Sequence, residues 1–197
     1  MSFKIIVVGG RFFSPYLVKA LQSLNYWCHR LTRIEAESGL IDLNEDNGKY
    51  IIIDAMDPAR QHLISHDLNI KLSEMRGKLL KHRAISKYCY LSSALVYKES
   101  RHLLTEDSEI EANTAYKRLK IENESMVLKS GKSGVCFRLT NIWSQDSAKD
   151  TLMGLCIQER KERGRLKIQM TDHFKCIDLI HADDAAMAIA KSINQEI

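Results

Sequence analysis

Proline is nearly missing from this chain, with two among 197 residues, and glycine is sparse at nine. With so few breakers and no low-complexity run, long disordered arms are not expected. Long apolar runs are missing too, since none approaches the ~20 residues a helix needs to cross a bilayer. The N-terminus opens on a short strand-like run, Phe3-Lys4-Ile5-Ile6-Val7-Val8, without the longer apolar segment and small-residue cleavage site of a secretion signal. A cytoplasmic, reducing location and no membrane partner are the expectation. The five cysteines (Cys28, Cys89, Cys136, Cys156, Cys176) are odd in number and never spaced Cys-x-x-Cys. They read as mostly buried small hydrophobes, not as a disulfide frame or a zinc site. Charge of one sign is scarce as well. The formal net charge of +4 admits phosphate-bearing ligands and does not call for nucleic acid.

What is present is an ordinary globular mix, 45% hydrophobic and 27% charged, long enough for a single domain with a real core over 1–197. Strand-length apolar runs alternate with helical patterns. Residues 3–9, 26–32, 50–54, 88–92 and 135–139 read as strands. Ser14 stands as a cap before Pro15, and Leu17, Leu21 and Leu24 form the apolar stripe of a helix that Asn25 ends. Further helices are expected over 59–84, 114–129, 150–163 and 182–194, with a charged loop over 97–112 and a strand pair within 166–180. Such alternation predicts an α/β fold, a Rossmann-like doubly wound parallel sheet with helices on both faces and a small C-terminal appendage. Ligands bind such sheets at the carboxyl ends of the strands. Gly9-Gly10, Ala55-Met56, Ser92-Ser93 and Asn141 all fall there.

Tyr116 and Lys120 are one helical turn apart, which puts phenol and ammonium on one face. A lysine charge there favours the phenolate, so the sequence predicts a tyrosine pKa drawn down from about 10. A serine hydroxyl from the pair Ser92-Ser93 can hold a substrate oxygen beside that tyrosine. Together they are equipment for moving a proton to or from an alcohol or carbonyl while a hydride moves elsewhere.

Several ordered motifs carry a family resemblance: Lys4-Ile5-Ile6-Val7-Val8-Gly9-Gly10, Tyr90-Leu91-Ser92-Ser93-Ala94-Leu95-Val96-Tyr97, Thr105-Glu106, Tyr116-x-x-x-Lys120 with Glu124, Phe137-Arg138-Leu139-Thr140-Asn141, and Asp178-Leu179-Ile180-His181-Ala182-Asp183-Asp184. Through almost its whole length the chain resembles the extended short-chain dehydrogenases/reductases of the NAD-dependent epimerase/dehydratase group, many of which act on nucleotide sugars. The resemblance implies catalytic roles for Ser93, Tyr116 and Lys120, with Tyr116 as acid/base. Lys120 would tune that tyrosine and hold the nicotinamide ribose. It implies cofactor contacts at Gly9, Gly10, Arg11, Phe12, Phe13, Ala55, Met56 and Ser92, substrate contacts at Ser93 and Asn141, and a structural aspartate at Asp184. It also implies a homodimer through the helices within 72–84 and 114–129.

The departures are specific. The glycine turn Gly9-Gly10-Arg11-Phe12-Phe13-Ser14-Pro15 is one residue short of the family's phosphate loop and keeps only its first two glycines, so Phe12 and Phe13 must swing aside for a pyrophosphate. Ile177 stands where the family often has arginine, and the segment 144–181 reads as a reduced substrate lobe. Arg33, at the end of the second strand, stands where an acidic residue selects NAD, which predicts NADP ahead of NAD. The expected activity is NAD(P)-dependent oxidoreductase or epimerase chemistry on a small polar substrate, nucleotide sugars among the candidates. The competing reading is a non-catalytic dinucleotide sensor or scaffold on the same fold. Arg33 as a surface charge and Asn141 as a turn former are the bland alternatives. His62 and His66 read as solvated, Arg160 to Arg165 as a helix end, and His181 as a core histidine; no metal site is expected.

Overall fold

In the computed structural model, which describes residues 3–38, 43, 50–58, 65–100, 102–147, 151–165 and 177–193, the apolar runs become strands. Five of them, β1 (Lys4–Gly9), β2 (Trp27–Leu31), β3 (Tyr50–Ala55), β4 (Ile85–Ser93) and β5 (Ser133–Leu139), form one parallel sheet in the order β2-β1-β3-β4-β5. The connecting helices are α1 (Ser14–Ser23), α2 (Arg33–Glu37), α3 (His66–Lys81) and α4 (Ala115–Leu128). After the sheet come β6 (Asn141–Trp143), α5 (Leu152–Arg163), β7 (Leu179–His181) and α6 (Ala182–Ser192).

Side chains alternate across a strand, so the sheet has two apolar faces and each needs a cover. Ile5, Val7, Ile51, Ile53 and Leu91 face Leu17 and Leu21 of α1 and Ala185, Ala186 and Ile189 of α6. Ile6, Val8, Ile52, Tyr88 and Tyr90 face Leu72, Met75, Leu79 and Leu80 of α3 and Val127 of α4. Each of the Val, Leu, Ile and Met side chains among these contributes about 1.5–3 kcal/mol when fully buried. The result is the doubly wound α/β architecture that the alternation predicts.

Local chemistry sets the element ends. Asn25 leaves α1 in the left-handed region (φ 62°). Thr32 and Glu35 form a capping box at α2, and Ser65, Thr114 and Thr151 accept backbone N–H groups at the starts of α3, α4 and α5. One expectation is corrected. Ser14 is the first helical residue and not the cap: the short turn pulls the helix start back to Phe13, and Ser14 Oγ donates to Gly10 O at 2.5 Å. The strand pair expected within 166–180 lies mostly outside the described residues, since 166–176 are not among them. Strand β7 pairs in parallel with β6, a strand of three residues too short to show a period. Ile142 and Ile180 of this pair rest on the α1–α6 cluster.

The chain runs from β1 outward to β2, then crosses back to β3 on the other side of β1. The carboxyl ends of β1 and β3 therefore flank the point where the winding reverses, where such sheets open a crevice.

Candidate active site

Helix α4 buries Tyr116, Leu119, Lys120, Asn123, Glu124 and Val127. The spacing of three and four marks one helix face. Four of the six are polar, so this face needs partners and not only packing. Lys120 is 4% exposed, and its Nζ donates to the Leu91 carbonyl at 2.9 Å and to Asp57 Oδ2 at 3.0 Å. The same Nζ lies 5.7 Å from the Tyr116 ring centroid and 5.0 Å from that of Tyr90. Tyr116 is 9% exposed, and its hydroxyl has no hydrogen-bond partner among the described residues. Phenol and ammonium thus meet at the carboxyl ends of β3 and β4, as their spacing predicts.

Ser93 ends β4 and opens a 3₁₀ turn, Ala94–Val96, which packs against α4. Its Oγ accepts the Leu95 N–H at 3.2 Å, which fixes the side chain. Its own proton has no acceptor among the described residues, so it is available to a substrate oxygen. Ser92 is committed elsewhere: its Oγ donates to Glu124 Oε1 at 2.5 Å. Glu124 in turn holds Arg138 of β5 through two contacts of 3.0 and 2.8 Å. The Arg138 guanidinium sits 4.8 Å from the Tyr97 ring centroid and donates to the Glu106 carbonyl. Glu124 holds the Arg138 charge well above the usual guanidinium range. This clamp ties β4, β5, α4 and the 97–112 loop together.

Sequence reasoning missed the groups beneath Lys120. Asp54 Oδ2 receives Arg76 Nε at 2.6 Å and the Tyr88 hydroxyl at 2.8 Å, and Asp54 Oδ1 receives the Met56 N–H at 3.0 Å. Asp57 Oδ1 receives Arg76 Nη2 at 2.9 Å, and its Oδ2 receives Lys120, the Tyr90 hydroxyl and Asn123 Nδ2. Burial works to raise the Asp57 carboxyl, but the Lys120 and Arg76 cations and the Tyr90 hydroxyl outweigh it and hold it below the usual carboxylate range. Burial and the neighbouring aspartates push the Tyr88 and Tyr90 phenols well above theirs. Arg76 carries the signal that was available, an arginine in register with the apolar stripe Leu72, Met75, Leu79 and Leu80.

At the switch point, Gly9 (φ 81°) and Gly10 (φ 65°) let the turn lie against the end of β3. A Cβ on Gly9 would stand 2.7 Å from Met56 Cα, and one on Gly10 2.7 Å from Ala55 Cβ. Ala55 is half-buried, and Met56 is sealed in the α3-side core. Phe13 is buried in the other core and Phe12 is half-buried against it, while Arg11 is exposed. In the first turn of α1, Ser14 N donates to Gly10 O, Pro15 has no N–H, and Tyr16 N donates to Phe13 O. Those amides are spent on the fold. The amides of Arg11 and Phe12 have no acceptor among the described residues.

The outlying candidates serve other contacts. Arg33 opens α2 with its Nε 3.7 Å from Glu37 Oε1, both half exposed. Asn141 is exposed, and its Nδ2 donates to the Asp178 carbonyl across the β6–β7 pair. His181 is not a core histidine: it ends β7, accepts the Asp183 N–H at 3.3 Å and meets Trp143 edge-on at 4.9 Å. Asp184 sits in the first turn of α6. His62 lies outside the described residues, and among the described residues no three potential ligands gather around a metal position.

The residues present fit a nicotinamide dinucleotide at one end, where one Lys120 N–H and the hydroxyl protons of Tyr116 and Ser93 have no acceptor among the described residues. At the other end the fit rests on Arg11 and the amides of Arg11 and Phe12. Among solved structures, this one is similar to the dTDP-glucose 4,6-dehydratase from Bacillus anthracis in complex with NAD (TM-score 0.71, 18% identity, covering 98% of this chain and 72% of that one). It is also similar to the UDP-glucuronic acid 4-epimerase from Bacillus cereus in complex with UDP-glucuronic acid and NAD (0.72, 15%, 99% and 74%). A third is the UDP-N-acetylglucosamine 4-epimerase from Methanobrevibacter ruminantium in complex with UDP-N-acetylmuramic acid (0.66, 18%, 95% and 72%). At those identities the likeness is one of fold. No curated protein matches the chain in sequence. The model of the NAD dependent epimerase/dehydratase family matches residues 67–196, well over half of the chain and the part that carries Ser93, Tyr116 and Lys120. By that match, the chain belongs to the NAD dependent epimerase/dehydratase family.

Proposed function

We propose that this protein is a nicotinamide-dependent enzyme that exchanges a proton at a hydroxyl or carbonyl of a small polar substrate, in the class of the nucleotide sugars bound by its structural neighbours. The observation that carries the reading is the buried Lys120 ammonium 5.7 Å from the Tyr116 ring, on a helix that packs against the turn opened by Ser93, with neither the Tyr116 nor the Ser93 hydroxyl proton given an acceptor among the described residues. The bound nicotinamide would supply or accept the hydride. Tyr116 takes the substrate proton in one direction and returns it in the other. Ser93 donates its free proton to the same oxygen and so fixes its position. Lys120 offers its third N–H to the cofactor ribose. Gly9, Gly10, Arg11 and Ala55 border the dinucleotide, with Arg11 meeting the pyrophosphate.

NAD is the cofactor named by the family and by the neighbours. The structure gives the NADP preference inferred from Arg33 no support, because that guanidinium is already paired with Glu37. Titrating NADH and NADPH by fluorescence decides between them: equal affinities, or tighter NADH, remove Arg33 from the selectivity argument. A homodimer through α3 and α4 and a cytoplasmic location complete the reading. A monomeric sedimentation profile at micromolar concentration would sink the dimer. No described helix is long and apolar enough to cross a membrane.

The test of function is Tyr116→Phe, assayed by cofactor absorbance and product analysis with UDP-glucuronic acid and dTDP-glucose as probes. We expect turnover to fall at least about a hundredfold, the usual worth of a positioned acid/base, with NADH affinity retained. A variant as active as the parent refutes the role. A second reading, a cofactor sensor without turnover, is favoured by one observation: the first-turn amides of α1 at Ser14 and Tyr16 are consumed within the chain. It predicts NADH binding with no turnover of any sugar nucleotide in the parent protein.

A further inference from the structure

Four ionised side chains lie together behind the Tyr116–Lys120 step, and their charges cancel. Asp54 and Asp57 supply two negative charges; Arg76 and Lys120 supply two positive ones. All four side chains are 6% exposed or less, so water does little to screen them. Arg76 faces both carboxylates, with Nε on Asp54 and Nη2 on Asp57, while its buried Nη1 has no hydrogen-bond partner among the described residues. Among the described residues Asp57 is the one counter-charge of Lys120, whose second contact is the neutral Leu91 carbonyl. Three further groups reinforce that one carboxylate: the Tyr90 hydroxyl, Asn123 Nδ2 and Arg76, from β4, α4 and α3. Asp57 lies two residues beyond the end of β3, so the sheet itself does not require it.

An oxidised nicotinamide ring carries a positive charge and a reduced ring carries none. A net charge fixed beside the ring therefore separates the two redox states by affinity. An uncompensated Lys120 would repel the oxidised form and leave the reduced form untouched. We infer that Asp57 is the counter-charge that lets oxidised cofactor bind beside Lys120, and so sets the preference of the site between NAD⁺ and NADH. This inference rests on the proposed role of Lys120 at the nicotinamide ribose. Asp57 acts through Lys120 and is a specificity-determining residue, not a catalytic one.

The test uses the full chain and two ligands, NAD⁺ and NADH, with dissociation constants measured by calorimetry at pH 7 and low salt. Asp57→Asn should raise the ratio Kd(NAD⁺)/Kd(NADH) about tenfold, the size of one unit charge roughly 12 Å away at an effective dielectric near 20. Asp57→Glu should bring the ratio back toward the parent value. Lys120→Met removes the cation and leaves the carboxylate, so it should lower the ratio even as it weakens both affinities. A purely structural aspartate would weaken both ligands alike; an unchanged ratio in Asp57→Asn overturns the inference while the functional reading stands. If Asp57→Asn fails to fold by circular dichroism, the decision passes to Lys120→Met, where an unchanged or raised ratio overturns it. If the parent chain binds neither form at millimolar concentration, the functional reading fails and this inference with it.

Discussion

Gly9 and Gly10 show how much one hydrogen atom in place of a methyl decides at the switch point. Both have positive φ, which L side chains rarely adopt, and both face the end of β3. Their obstacles differ. The added Cβ at Gly10 meets a side-chain atom, Ala55 Cβ at 2.7 Å, whereas at Gly9 it meets backbone, Met56 Cα at 2.7 Å and Ala55 O at 2.8 Å. Gly10→Ala should therefore cost about 1–3 kcal/mol from strain and overlap, and adding Ala55→Gly should recover part of it. Gly9→Ala should cost at least as much and gain nothing from Ala55→Gly. Urea unfolding of the single and double variants checks both, and equal rescue of the two glycines would refute the distinction. These glycines read from sequence as a phosphate loop. In the fold they are already explained by β3, which is why a glycine pair alone says so little about a ligand.

The elements of this chain were legible where periodicity spoke and obscure where a polar residue occupied an apolar position. Strands β1 and β3 follow from their unbroken runs of Ile and Val, and α4 falls within the helix expected over 114–129. The role of Asp54 and Asp57 was not legible, because their partners come from α3, α4 and β4, far along the chain. Only Arg76, set among the leucines of α3, marks the network in one dimension. That position makes a prediction at the level of the element. Removing Arg76 leaves two buried carboxylates with one fewer cation, and losing one partner of a buried pair costs about 3–5 kcal/mol. Arg76→Met should lower the urea midpoint accordingly and loosen α3 from the sheet, seen as faster amide exchange over Leu72 to Leu80. Lys98→Ala, which breaks an exposed pair with Glu109, should leave the midpoint where it was. If the two variants behave alike, the buried network does not hold α3.

For the molecule as a whole, the buried network makes stability a function of pH with a defined shape. An unfolded aspartate takes up its proton near pH 4, while folded Asp57 does so only at lower pH, its charge being held by Lys120 and Arg76. Below about pH 4 the unfolded chain therefore binds more protons than the folded one, and stability falls as pH falls through that window. Tyr88 and Tyr90 act at the other end. Unfolded phenols ionise near pH 10, but burial and the aspartates keep these two protonated well above it in the fold. Their contribution is complete below about pH 10 and is lost as pH rises beyond it. Thermal unfolding from pH 3 to 11 should thus show a plateau between the two limbs. Tyr88→Phe removes one titrating phenol and leaves Asp54 with Arg76, so it should flatten the alkaline limb and spare the acid one. An alkaline limb as steep in Tyr88→Phe as in the parent would mean that the phenol facing Asp54 does not carry it. The alkaline limit would then fall to Tyr90, which faces Asp57, while the acid limit would still rest on Asp57 itself.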